Sequence, residues 1–331
     1  MRVDVVHQWV VDRRLLGTDG VRVIPLDGGV SCEVFSVEDR HGSLIVKHAE
    51  PRLRVAADWR ADPRRVVHEG EVIKVLARLT PEAVPTLLAI DREHHVIAIT
   101  KAPHSWVTWK QELAAGRADV GVARTLGRTL GTWHRTTWGR EEFAKLDDYP
   151  LFEALRLEPY FGHVQTHQPH HQAPLAEVVA RLRDRRLCLV HGDFSPKNVL
   201  VGEDGTWVLD FEVAHVGDPQ FDLAFMLTHL TLKSINRPEF SAAYWACAAA
   251  FLKAYTTVAP DAGEVAGPEL LRLLGALLLA RVHGKSPVTY LDAAGRSRTT
   301  QLAESLLYDK LEDLGDLWTQ LEGGPSSHPT P

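Results

Sequence analysis

"CLVHGDFSPKNVLV", residues 188–201, sets His191, Gly192, Asp193 and Asn198 inside an apolar run. A second stretch, "WVLDFEVAHVGDPQFDLA" (207–224), repeats the pattern with Asp210 and Glu212. Carboxylates, an imidazole and an amide are costly to bury unless they are hydrogen-bonded or put to use. A single Asp or Asn near a turn is ordinarily a cap or a turn former, and a single His is ordinarily a hydrogen-bonded structural residue. The joint spacing asks for more: H-x-D, an Asn five residues after the Asp, a hairpin signal, then D-x-E.

Between Asn198 and Asp210 lies "VLVGEDGTWVL", where two β-rich triplets flank the turn signal "GEDG". A hairpin centred near Asp204 would place Asn198 opposite Asp210, on the same side of the ribbon. Asp193 would sit on the loop entering that end, and a one-residue slip would break the convergence. Oxygen donors that leave room for water and phosphate suit Mg²⁺. A carboxylate within reach of a substrate hydroxyl can take its proton, and Asp193 suits that role. Metal, positioning and a group that orients the nucleophile are what phosphoryl transfer needs. Glu212 could reach the same metal. Asp218-Pro219 reads as a helix start, with Asp at the N-cap and Pro at the first helical position. Asp222 reads as a brace for the neighbouring loop.

The rest of the chain is compatible with that chemistry. At 331 residues it has room for about two domains, and 45% apolar residues can build a sizeable core. A net charge of -6 argues against nucleic acid as a partner. Cys32, Cys188 and Cys247 are far apart and match no metal spacing, so they read as reduced fillers of a cytoplasmic protein. The N-terminus has no signal-peptide core. The most apolar stretch, "LLRLLGALLLA" (270–280), is too short to span a bilayer and contains Arg272, which argues for a buried helix and against a membrane partner.

Residues 21–50 alternate strand, turn and strand, and residues 65–79 carry apolar residues at helical spacing. "LLAID" and "HVIAIT" read as two further strands. Residues 1–102 therefore predict a small antiparallel sheet with one helix. Helical patterns follow at 122–138, 174–186, 219–232, 238–256, 268–282 and 298–321. Residues 161–174 are polar and irregular. His163, His167, His170 and His171 have no evident carboxylate or Cys partner there, so they read as a flexible loop rather than a metal site. Residues 323–331 have the composition of a disordered tail. The expected architecture is α+β: a β-rich lobe over 1–102 and a helical lobe over 103–322, with a cleft between them.

The two quoted stretches resemble the signature of the aminoglycoside phosphotransferase and choline kinase family, whose fold is that of protein kinases. H-G-D-x-x-x-x-N stands where protein kinases carry H-R-D-x-x-x-x-N, and "DFE" stands where they carry D-F-G. The resemblance covers most of residues 20–230. It implies a bilobal kinase-like fold that uses ATP and Mg²⁺, with Asp193 as base and Asn198 and Asp210 on the metal. "LDGGVSCEVFSV" (26–37) resembles the loop over the ATP phosphates, which nominates Gly28, Gly29 and Ser31. It lacks a full G-x-G-x-x-G, and by itself it reads as a hairpin turn. "LIVKHA" (44–49) resembles the strand bearing the phosphate-binding lysine, here Lys47. "HEGEVIKVL" (68–76) resembles the helix whose glutamate pairs with that lysine, with Glu69 preferred to Glu71. "AITKAP" (98–103) is placed to meet adenine through its backbone, at Thr100 and Ala102.

D-x-E also resembles the methylthioribose kinase branch, and "FEALRLEPYF" (152–161) and "LLARVHGKSPVTYL" (278–291) are similar to its helical segments. They nominate Arg281, His283 and Tyr290 for the acceptor, although cations neutralising a helix C-terminus explain the first two and Lys285 as well. An aminoglycoside enzyme would need an acidic acceptor surface, and the carboxylates of "YLDAAGR" and "YDKLEDLGD" also read as a solvated face. The expected function is ATP-dependent transfer of the γ-phosphate to a hydroxyl of a small molecule: a sugar, an amino sugar or an amino alcohol. The alternative is a kinase-shaped nucleotide-binding module without transfer. A protein substrate is disfavoured, because "GDPQFDLAF" runs from the metal motif almost directly into a helix. ATP against GTP, the acceptor's identity and the oligomeric state stay open.

Overall fold

A computed structural model describes residues 1–26, 32–50, 61–260, 267–308, 311 and 313–322. Gly28, Gly29, Ser31 and the tail 323–331 lie outside the described residues.

In chain order the elements are α1 (Val3–Asp12), β1 (Arg22–Leu26), β2 (Cys32–Glu38), β3 (Ser43–Ala49), α2 (Arg65–Leu76), β4 (Leu87–Asp91) and β5 (Val96–Thr100). Next come β6 (Val107–Thr108), α3 (Trp109–Ala114), α4 (Val120–Thr137), α5 (Tyr149–Phe152), α6 (His163–His167), α7 (Gln172–Asp184) and β7 (Cys188–Val190). The last are β8 (Val199–Gly202), β9 (Gly205–Val208), β10 (His215–Gly217), α8 (Gln220–Asn236), α9 (Ser241–Val258), α10 (Pro268–His283), α11 (Ala293–Leu307) and α12 (Leu314–Glu322). They form two compact units: Met1–Trp106 with Leu200–Ala214, and Val107–Val199 with His215–Pro331. A single cut near residue 102 does not describe this division, because the segment holding Asp210 and Glu212 returns to the first unit.

The first unit carries an antiparallel sheet in the order β1-β2-β3-β5-β4. Its β-branched and aromatic residues alternate between faces, as a half-buried sheet requires. One face packs Phe35, Val37, Leu44, Val46, Val96 and Ala98 against Val6, Trp9 and Val10 of α1. This helix is absent from the sequence reading, which assigns one helix to the region. Its three- and four-residue apolar spacing is the signal that was available. Trp9 Nε1 donates to Asp91 (2.8 Å), and the Arg13 guanidinium bonds the same carboxylate (2.6 Å) while lying over the Trp9 ring. The second helix, α2, packs against β3, β4 and β5.

The second unit is mostly helical, with β7 and β10 as a short antiparallel pair. α8 is buried almost all round, and α10 is the apolar buried helix that "LLRLLGALLLA" predicts. The pattern over 298–321 is broken into α11 and α12. Asp313 ends the gap by accepting from Asp316 N (2.9 Å), which caps a new helix. No helix among the described residues is long and apolar enough to cross a membrane. Helices α4 and α9 approach closely at Gly127 of α4, where a Cβ would lie 2.2 Å from Phe251 O of α9. Gly127→Ala must push the two helices apart, at about 1–3 kcal/mol. An equilibrium unfolding midpoint at or above that of the parent would show that the contact has slack.

Candidate active site

The turn Glu203-Asp204 joins β8 to β9, so the expected hairpin exists. Its ends differ from the expectation. The strands stop at Val199 and Val208, and neither Asn198 nor Asp210 is a ladder residue. Asn198 closes the 3-10 turn Pro196–Asn198, because Pro196 lacks the N–H that a ladder position needs. Asp210 follows β9 by two residues in the left-handed region, at φ 71°. Asp is one of the few side chains that tolerate this conformation. The geometry that aims these side chains is therefore turn geometry rather than cross-strand pairing.

In the first unit, Lys47 on the central strand β3 is buried. Its Nζ lies 2.7 Å from Glu69 Oε1 and 3.2 Å from Asp210 Oδ1. Glu69 lies on the buried face of α2, whereas Glu71 faces outward to pair with Arg92. Burial pulls the Lys47 ammonium down, but Glu69 and Asp210 outweigh it and hold the group well above its usual value. Glu212 is buried, and its Oε2 lies 3.4 Å from Arg65 Nε. Burial and then the charge of Asp210 push the Glu212 carboxyl up to about 7, against Lys47 and Arg65. Arg65 itself is wholly buried and donates to the carbonyls of Glu50, Ala61 and Asp62. Thr100 donates its N–H to Thr86 O and accepts from Thr86 N at its hydroxyl (both 2.9 Å). Ala102 lies in irregular chain after β5.

In the second unit, Asp193 is 2% exposed. Its Oδ2 meets Lys197 Nζ at 2.8 Å and Arg156 Nη2 at 3.0 Å, and it accepts from Asn198 Nδ2 at 3.0 Å. Burial alone would raise this carboxyl, but Arg156 and Lys197 overcome it and hold the group far below the usual carboxylate range. Asn198 Nδ2 also donates to Asp193 O, which leaves its Oδ1 as the atom suited to a metal.

The Asp193 loop is held by Asp222 at the start of α8. Asp222 accepts from His191 N (2.7 Å) and Gly192 N (2.9 Å), and it lies 3.2 Å from His134 Nε2. This brace is the role its place in the sequence suggests. Asp218 accepts from Gln220 N, one residue deeper than the expected cap, since the helix begins after Pro219. Gly192 has φ 75°, a conformation that Gly adopts without a Cβ penalty. Arg156 Nε completes the clamp by donating to Gly192 O (2.9 Å). His134 and Arg156 were not among the sequence candidates, and no local spacing links either to "HGD". The one available signal for Arg156 was its place in "FEALRLEPYF", here a π-helical segment, Glu153–Gly162.

The three acceptor candidates do not form one cluster. His283 turns to Thr300 of α11 (3.0 Å). Arg281 Nη1 bonds Tyr160 OH (3.3 Å) and the Ser286 carbonyl. The Tyr290 hydroxyl is buried with no hydrogen-bond partner among the described residues. Lys285 pairs with Glu158 (2.9 Å). The polar segment before α7 is not a loop: α6 and a 3-10 turn, Pro169–His171, occupy it. It also gains the carboxylate it lacked in sequence, since Glu304 of α11 lies 3.5 Å from His171 Nε2.

The donor chemistry fits nucleotide and Mg²⁺. Asp210, Glu212 and Asn198 offer hard oxygen atoms. In the first unit the acidic groups Glu69, Asp210 and Glu212 outnumber the cations Lys47 and Arg65, which favours a further cation there.

Comparison with known proteins gives the family and the fold. The family described as "Phosphotransferase enzyme family" matches residues 22–260. Methylthioribose kinase of Bacillus anthracis is 25% identical over 233 residues, a match covering 62% of this chain and 59% of that protein. The match thus spans less than two thirds of the relative's length. Among solved structures, amicoumacin kinase hAmiN in complex with AMP-PNP, Ca²⁺ and Ami superposes with a TM-score of 0.53 at 17% identity, covering 94% of this chain and 97% of that one. Plasmodium vivax ethanolamine kinase gives 0.56 at 11% identity, covering 92% and 89%. These structures share the fold.

Proposed function

The chain belongs to the phosphotransferase enzyme family, and from that premise we propose that it moves the γ-phosphate of ATP to a hydroxyl of a small molecule. The observation that carries this reading is the buried Lys47, whose ammonium is held by Glu69 and Asp210 together. A permanently charged lysine beside a metal-binding carboxylate is the equipment for gripping a polyphosphate.

In this reading Lys47 binds nucleotide phosphates and Glu69 fixes the ammonium in place. Gly28, Gly29 and Ser31 cover the phosphates, and Thr100 and Ala102 meet the adenine. Asp210 and Glu212 of the first unit and Asn198 Oδ1 of the second would supply oxygen ligands to Mg²⁺. When bound, the ion neutralises charge on the phosphate oxygens. The acceptor oxygen attacks the γ-phosphorus, the bond to the β-bridging oxygen breaks, and ADP leaves with that electron pair. The acceptor proton passes to Asp193. Because Arg156 and Lys197 keep Asp193 ionised, it is ready to accept that proton but is a weak base. It therefore acts late, as the attacking oxygen becomes acidic. A silent nucleotide-binding module would have no use for the clamp on Asp193.

The test is ADP release across a panel of alcohols, with Lys47→Met as the probe. The variant loses a charge-assisted contact worth about 1.5–3 kcal/mol, so KM for ATP should rise roughly tenfold to a hundredfold. An unchanged KM for ATP would remove Lys47 from the nucleotide site. ADP release that no alcohol stimulates would favour the silent module.

A further inference from the structure

Three polar side chains in the second unit, Lys233, Tyr290 and Arg281, are short of hydrogen-bond partners among the described residues. Lys233 of α8 is 7% exposed, and its Nζ reaches only Lys110 O, at 3.5 Å, with no carboxylate partner among the described residues. Its ammonium lies 5.9 Å from the centre of the Tyr290 ring. The buried Tyr290 hydroxyl and the buried Arg281 Nε likewise have no partner among the described residues. A buried cation without a counter-charge is expensive, and so is each unmet donor. Burial, and secondly the charge of Lys110, pull the Lys233 ammonium down to about 8.

These groups connect to the reacting carboxylate through packed rings. Phe225, His229 and Lys233 recur every four residues and share one face of α8. Tyr160 stacks on Phe225 (6.1 Å), and its ring lies 5.7 Å from the Arg156 guanidinium and 5.8 Å from that of Arg281. Phe225 in turn packs on His229 (5.3 Å). Burial, and then the charges of Arg281, Lys197 and Lys233 against that of Asp193, hold the His229 imidazole well below its usual value. Asp193 is the sole carboxylate among those four, and Arg156 and Lys197 already pair with it. The surplus along this face is therefore positive. His229, Arg281 and Tyr290 are half-buried, while the Tyr290 hydroxyl and Arg281 Nε are themselves covered, so a ligand reaches them only if the packing over them opens.

We infer that the acceptor alcohol carries an oxyanion, a carboxylate or a phosphate, which is held by Lys233, Arg281 and Tyr290. The inference rests on the phosphotransferase reading and narrows its substrate class. It excludes cationic acceptors such as aminoglycosides and choline, whose ammonium groups would meet like charge. Lys233 lies one helical turn beyond His229, about 6 Å along the axis.

The experiment measures acceptor-stimulated ADP release with four groups of alcohols. These are hydroxy acids and sugar acids (glycerate, gluconate), sugar phosphates (glucose 6-phosphate), neutral polyols (glucose, sorbitol), and amines (choline, kanamycin). Stimulation by the first or second group is expected and identifies the anion as carboxylate or phosphate. Lys233→Met should then raise KM for that acceptor at least tenfold while KM for ATP stays within twofold. Tyr290→Phe should raise it severalfold with the ring retained. Lys233→Met removes an unmatched buried charge, so its melting temperature should not fall. Stimulation by neutral polyols or amines alone overturns the inference and leaves the kinase reading intact. If no alcohol stimulates ADP release, calorimetric titration of nucleotide-free protein with gluconate, glucose 6-phosphate and inorganic phosphate separates the two ideas. Anion binding lost in Lys233→Met keeps the oxyanion site and sinks the kinase reading, whereas no anion binding sinks the site.

Discussion

Asp193→Ala is expected to lower turnover by about 10² to 10⁴, the usual worth of a positioned proton acceptor. Nucleotide affinity should survive, because Lys47, Glu69 and Asp210 belong to the other compact unit. The substitution also strips Arg156 and Lys197 of their shared partner. Removing one partner of the buried Asp193–Arg156 ion pair destabilises a fold, so Asp193→Asn is the companion variant: it keeps the shape and a hydrogen-bond acceptor but not the charge. Both should fail in turnover, and Asn should retain more of the parent's thermal stability. Turnover within threefold of the parent for either variant would take the base role away from Asp193.

Asp222→Ala should be the most damaging change to stability. The wholly buried carboxylate satisfies two backbone N–H groups of the His191–Gly192 turn and lies against His134. Its removal leaves those donors without acceptors inside a dry core. Breaking such a buried charged cluster costs about 3–5 kcal/mol. For a protein of this size the melting temperature should drop by on the order of 10 °C. Asp222→Asn retains one acceptor and should lose less. Soluble protein recovered from either variant should also turn over slowly, since the loop that aims Asp193 is released. A melting temperature within about 2 °C of the parent would show that His191 and Gly192 find other acceptors.

Much of the site was legible because its spacing is local. H-G-D-x-x-x-x-N and D-F-E mark Asp193, Asn198, Asp210 and Glu212 through short separations, and "LIVKHA" and "HEGEVIKVL" mark Lys47 and Glu69 through the periodicity of a strand and a helix. Where the reading erred, geometry finer than periodicity was at stake. The hairpin ends one residue short of Asn198 and two short of Asp210, because Pro196 cannot pair and Asp210 takes a left-handed turn. The first helix escaped notice, although Val6, Trp9 and Val10 were visible at helical spacing.

By itself the sequence determined the α+β class and the order of strands before helices, and it nominated the residues proposed to carry phosphate chemistry. Each of these follows from side-chain period, turn composition or a short motif, all of them properties of a dozen residues or fewer. The tertiary structure alone decided that Arg156 and Lys197 flank Asp193, and that His134 backs Asp222. It alone left the Tyr290 hydroxyl and Arg281 Nε without partners among the described residues, and brought Glu304 to His171 across 133 residues. Partners so far apart are joined by loop closure and core packing, which leave no fixed spacing in the chain. Charge balance in a buried site is therefore visible only after the chain has folded.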